Sequence, residues 1–263
     1  MRRAVLLAAP VALGGVAVAV LRRPRPPAVA PAGDIGTIDG ERIHLIDRGQ
    51  GPAIVLIHGF LGNTASFRSI IDDLSRDHRV IALDLPGFGF SDRDPGFDLS
   101  QEAHARRVAR VLDEAGIQRA TILGHSMGGA IAQRFAARFP ERTERLVLLC
   151  AVNAGEVPEW DRLGRRAKAA LTGMRLLTKS PTLMNRLTLR TMRSIVGDPD
   201  RLTADDAWVY TVPLLRPGTV DCLESMFRRL REEQPVDLGR ITAPTLVLSG
   251  ECDTAVPPSV GLR

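Results

Sequence analysis

The chain has 263 residues, 44% hydrophobic and 25% charged, which suits one large globular domain or one domain carrying an insertion. Its net charge of +5 comes from Arg2, Arg3, Arg22, Arg23 and Arg25 in an acid-free stretch, so the rest balances; with no basic stripe interleaved with aromatics, nucleic acid is disfavoured as a partner. Three widely spaced cysteines, Cys150, Cys222 and Cys252, argue against a disulfide framework or a zinc site.

In chain order, residues 4–21 form an uncharged apolar run with arginines on both sides. Eighteen residues is near the lower limit for spanning a bilayer, so an uncleaved membrane anchor is expected, with a secreted chain as the alternative. Residues 22–33 are rich in Pro and Ala and read as a stiff linker, so 1–33 is assigned as anchor or signal plus linker. The folded part begins near Asp34. Alternating stretches at 35–38 and 42–47 flank Asp39-Gly40, a hairpin signal. Residues 53–57 and 80–83 are continuous apolar runs, as expected of strands covered on both faces. Asn63 or Thr64 is placed to cap a helix running to about Ser75, and Ser100 one running to about Ala115.

The next strand, 121–123, stops at Gly124. The sequence Gly124-His125-Ser126-Met127-Gly128 follows, and then a helical stretch over 127–138. A serine at a sharp strand-to-helix turn needs small residues two before and two after, because the backbone passes close to itself there. Such a turn lifts the hydroxyl off the sheet edge and aims the first helical N–H groups at whatever it attacks. Another strand is expected at 146–150. Strands alternating with helices at this spacing predict an α/β fold with a doubly wound, mostly parallel sheet. Residues 34–152 are its first part.

The rhythm breaks at 153–235, which is helical in pattern and reads as an inserted cap. Within it, residues 161–193 hold nine basic residues against one acid, Asp161, with leucines and methionines interleaved. This pattern suits an amphipathic pair with its charged face in water, or a cap facing an anionic membrane or a lipid-like substrate. The sheet resumes at 244–249 within a second core part, 236–263.

Four stretches follow buried strands in order: His58-Gly59-Phe60, the loop from Asp84 to Ser91, the Ser126 turn, and Gly250-Glu251-Cys252-Asp253. Together they resemble the α/β-hydrolase family, and most of all its branch of esterases, lipases and carbon–carbon hydrolases with a helical cap. The resemblance covers roughly residues 34–263. It implies Ser126 as nucleophile, Asp253 as the acid, and the N–H groups of Phe60 and Met127 as the oxyanion hole. His58, Gly59, Gly124, His125 and Gly128 would support the elbow and the loop. No metal or organic cofactor is implied, and Asp84 fits a structural loop aspartate.

In that family the triad runs serine, acid, histidine along the chain. The histidines here are His44, His58, His78, His104 and His125, and none follows Asp253. The resemblance therefore implies a chain truncated before the catalytic histidine, with the last strand and helix missing. The expected function is a serine hydrolase that cleaves an ester or other acyl bond of an apolar small molecule through an acyl-enzyme on Ser126. The alternatives are a carbon–carbon hydrolase of diketo acids and a non-catalytic, ligand-binding relative. Membrane association is expected through residues 4–21 and the basic cap.

Overall fold

The structure is a computed structural model that describes residues 26, 27, 29, 32–155 and 160–261. Seven strands make one sheet: β1 (Asp34–Ile38), β2 (Glu41–Arg48), β3 (Ala53–Ile57), β4 (Arg79–Leu83), β5 (Ala120–His125), β6 (Thr143–Leu149) and β7 (Thr245–Leu248). Their spatial order is β1-β2-β4-β3-β5-β6-β7. β1 and β2 are antiparallel, as are β2 and β4; every later pairing is parallel. At the β1–β2 turn Asp39 and Gly40 both have positive φ, 50° and 82°, the backbone that lets a two-residue hairpin match strand twist.

The interior of the sheet is apolar on both faces because helices cover both. All five residues of β3 are buried, and β4 is buried from Val80 onward. Helix α1 (Arg68–Leu74) follows a 3-10 turn over Thr64–Phe67, which the Asn63 side chain caps by accepting from the Ala65 N–H. In α2 (Gln101–Glu114) the Ser100 hydroxyl accepts from the Ala103 N–H, and Ala105, Val108, Val111 and Leu112 face the core. Helix α3 (Met127–Arg138) is buried from Met127 to Ala137. Two boundaries differ from the sequence pattern. β5 runs on through Gly124 to His125, paired with Leu148 and Leu149, and β6 begins at Thr143. Ladder partners on both sides hold Gly124 extended despite its low strand propensity.

Between β6 and β7 the described chain is helical: α4 (Trp160–Leu177), α5 (Pro181–Ile195), α6 (Ala204–Leu214) and α7 (Thr219–Leu230). The ends of this stretch meet, since the Val236 N–H donates to Ala154 O at 2.9 Å. A short helix, α8 (Pro258–Gly261), follows β7.

Among the described residues no helix is long and apolar enough to cross a membrane. This corrects the expectation of a membrane-anchored, transmembrane chain. The basis of that expectation, residues 4–21, lies outside the described residues, as does the segment on which secretion rested. Neither α4 nor α5 is apolar enough to cross a membrane, and nothing among the described residues supports membrane association of the cap.

Candidate active site

The chain leaves β3 for β4 on one side and later returns to β5 on the other. Parallel strands bring their carboxyl ends to one edge of the sheet, and such a reversal opens a crevice there. His58, Asp84, Ser126 and Cys150 directly follow β3, β4, β5 and β6, so all four stand on that edge. Asp253 lies in the turn after β7 at the same edge.

Ser126 has φ 52° and ψ −119°, a strained conformation for a residue with a side chain. The surroundings enforce it. The Ser126 N–H donates to Leu149 O at 3.0 Å, and Ser126 O accepts from the N–H groups of Gly129 (2.9 Å) and Val152 (3.1 Å). A Cβ at Gly124 would lie 2.2 Å from Gly128 O, and one at Gly128 would lie 2.2 Å from Ile57 O. The two glycines therefore let α3 press onto the ends of β3 and β5. A Cβ at Gly59 would approach Ser126 Cβ to 3.0 Å and His125 Nδ1 to 3.1 Å, so the loop after β3 runs alongside the serine.

Phe60 and Met127 thus lie on the two sides of the β3–β5 crevice, Phe60 two residues after His58 and Met127 at the first position of α3. The loop between them is tied down from below. His58 is fully buried; its Nδ1–H donates to Gly59 O (2.7 Å) and its Nε2 accepts from the Leu85 N–H (3.0 Å). Both nitrogens are used by one neutral tautomer, and burial pushes the ring's pKa down against the nearby Asp84. Asp84, also buried, accepts from the N–H groups of Thr64 (2.6 Å) and Phe90 (2.7 Å) and pairs with His44 Nδ1 at 2.8 Å. Burial alone would raise its pKa. The His44 bond, the neighbouring imidazoles and the Phe90 amide outweigh burial and hold it below the ordinary carboxylate value. The sequence marks Asp84 as a structural loop aspartate and His58 as loop support, but the Thr64 and His44 contacts are visible only once the strands are side by side.

Asp253 is partly exposed. Its Oδ1 accepts from the N–H groups of Ala255 (2.9 Å) and Val256 (2.8 Å), so its first bonds are to its own turn. Burial acts to raise its pKa, but the Val256 amide, the Cys150 thiol, the Ala255 amide and the charge of nearby His125 keep it low. His125 is pushed down by burial and up by Asp253. Cys150, with φ 44°, is raised by burial. Among the described residues no imidazole hydrogen-bonds to the Ser126 hydroxyl. No cluster of three or more metal-ligating side chains occurs among them either.

On the loop after β3 Phe60 is exposed and sits between two rings, Phe88 of the core (6.2 Å) and Phe227 of α7 (5.7 Å). These rings give the site an apolar wall shared between core and cap. A separate cleft of about 730 Å³, lined by residues including Arg134, Arg138, Glu233 and Asp237, includes none of the elbow residues.

The family model described as the alpha/beta hydrolase fold matches residues 52–263. The chain is 31% identical over 236 residues to a 2-hydroxy-6-oxo-2,4-heptadienoate hydrolase of Pseudomonas putida, covering 85% of this chain and 80% of that protein. It is 35% identical over 236 residues to a 2-hydroxy-6-oxononadienedioate/2-hydroxy-6-oxononatrienedioate hydrolase of Cupriavidus pinatubonensis, covering 84% and 78%. Among solved structures, a meta-cleavage product hydrolase from Pseudomonas fluorescens IP01 superposes with a TM-score of 0.69 at 27% identity, over 88% of this chain and 84% of that one. With the parallel sheet, the strained serine turn and the inserted helices already in place, these likenesses show that the chain belongs to the α/β-hydrolase family and is a hydrolase.

Proposed function

We propose that this hydrolase splits a carbon–carbon bond in a dienoic diketo acid, with Ser126 as nucleophile, the N–H groups of Phe60 and Met127 as oxyanion donors, and Asp253 as the acid. The observation that carries the substrate class is the pair of relatives at 31% and 35% identity, one named as a hydrolase of 2-hydroxy-6-oxo-2,4-heptadienoate and the other of 2-hydroxy-6-oxononadienedioate or its trienedioate. Such a compound contains a ketone, an enol and carboxylate groups but no ester or amide. Water therefore splits it only by breaking a carbon–carbon bond.

In this reading the Ser126 oxygen adds to the ketone carbon, its hydroxyl proton passing to solvent water, and the negative charge that develops on the ketone oxygen faces the two N–H groups. Losing one such donor costs on the order of 3 kcal/mol of transition-state stabilisation. The enol form first passes its hydroxyl proton to the carbon beside the ketone, giving the 2,6-dioxo tautomer. Collapse of the adduct then breaks the bond between the ketone carbon and that CH2 carbon, the electron pair delocalises into the 2-oxo acid as a dienolate, and the dienolate takes up a proton. Water then cleaves the acyl group from Ser126, releasing a carboxylic acid. The apolar wall of Phe60, Phe88 and Phe227 suits a flat, conjugated substrate. His58 is no candidate for the base, because both its nitrogens are already bonded.

Ester hydrolysis would use the same groups, so substrate comparison separates the two. The native gene product is expected to consume 2-hydroxy-6-oxo-2,4-heptadienoate with a far higher kcat/KM than any p-nitrophenyl ester. Hydrolysis of the esters with no action on the dienoate would overturn the diketo-acid reading.

A further inference from the structure

Arg93 follows the loop that begins at Asp84, and its guanidinium binds two parts of the chain at once. On the core side Nη1 donates to Ser91 O (2.9 Å) and Nη2 to Gly89 O (2.5 Å). On the cap side Nε donates to Thr219 Oγ1 (2.8 Å) and Nη2 to Pro213 O (3.1 Å). Pro213 lies near the end of α6, and Thr219 opens α7. The backbone is pressed into the same junction: Gly218 has φ 84°, and a Cβ there would lie 3.0 Å from Arg93 O. A second guanidinium, Arg216, reaches the same two carbonyls at 3.2 Å and stacks over Phe90 at 5.8 Å.

Bringing two cations onto one pair of neutral carbonyls has an electrostatic cost. Burial pushes Arg93 down to about 10, and the neighbouring Arg216 adds to that shift. A planar fork with five N–H groups can span two segments in this way, and an ammonium cannot.

The core carbonyls that Arg93 holds flank Phe90, and the route onward is short. The Phe90 N–H donates to Asp84 Oδ2, and the Ser91 hydroxyl donates to Asp84 O. Asp84 Oδ1 accepts from the Thr64 N–H, at the end of the loop that carries Phe60. The cap also touches that loop directly, since Asn63 Nδ2 donates to Val209 O of α6 at 3.1 Å.

We propose that Arg93 is a positioning residue that seats the α6–α7 junction of the cap and, through the Asp84 loop, sets the oxyanion loop beside Ser126. The functional half of this statement rests on the reading of Phe60 as an oxyanion donor; the mechanical half does not.

Hydrogen exchange on the native gene product tests it without needing turnover. In Arg93→Met the Thr64 and Phe90 amides are expected to exchange at least about tenfold faster, while amides of β3 and β5 keep their rates. Arg93→Lys, which keeps the charge but not the fork, should recover part of the protection. Thr219→Val, which removes one cap-side acceptor, should give a smaller change at the same amides. An unchanged Thr64 amide alongside faster exchange at Cys222 would make Arg93 a cap latch only and overturn the proposal. Uniformly faster exchange through β3 and β5 would overturn it too. If Arg93→Met does not fold, Thr219→Val decides by the same criteria. The Ser126 reading is judged separately, by the dienoate assay on the unaltered protein.

Discussion

The two ends of the candidate site are built differently. At the β3–β5 end the Ser126 backbone is locked from several directions: β6 and the residues after it bond it, α3 presses on it, and glycines allow approaches that no Cβ permits. At the β7 end Asp253 is held mainly by amides of its own turn. The geometry of Ser126 is thus a property of the sheet interior, whereas that of Asp253 is set by its own turn. Strain such as that at Ser126 persists only where the surroundings over-determine it.

The largest test of this contrast is steric. Gly128→Val drives side-chain atoms into the carbonyl at the end of β3 and is expected to cost about 3 kcal/mol or more, read as a lower urea midpoint. An unchanged midpoint would mean the elbow is not packed as described. Next, Leu56→Ala in fully buried β3 should cost about 3 kcal/mol, read the same way. A loss below about 1 kcal/mol would mean that the end of β3 is not packed as described.

Acid is expected to act on the buried side too. His104 is almost fully buried with neither ring nitrogen bonded, and burial pushes its pKa well down; His58 is lowered for the same reason. Their folded values lie below the ordinary 6.5, so the fold favours the neutral rings. That stability is complete above 6.5 and is lost as pH falls through and below it. Thermal midpoints should therefore drop between pH 7 and pH 5, and His104→Leu should flatten the drop. The smallest effect is at the other end. Asp253→Asn, at a partly exposed turn, should change stability by less than about 1 kcal/mol.

The parts legible in the sequence were those written locally. The hairpin at Asp39-Gly40, the Ser100 cap and the helix over 127–138 each depend on neighbours within a few residues, and the structure places all three. The parallel sheet followed from strand–helix rhythm. Contacts between distant residues were not legible. Nothing near Asp84 in sequence announces that it holds Thr64 and His44, and nothing near Arg93 announces Pro213 or Thr219. The end of β5 lies beyond the local pattern for the same reason, because the partners of Gly124 lie in β3 and β6. The membrane expectation rested on the hydropathy of residues 4–21 and on the basic residues of 161–193, two patterns that carry no packing partner within them.

The central claim is that the locked serine is the atom that takes the acyl group. Rapid quenching of the native gene product during turnover of 2-hydroxy-6-oxo-2,4-heptadienoate, followed by peptide mass spectrometry, tests it directly. The account predicts an added acyl mass on the tryptic peptide spanning residues 120–134, located at Ser126, and loss of both adduct and turnover in Ser126→Ala. Turnover that continues undiminished in Ser126→Ala, with no adduct on that peptide, would contradict it.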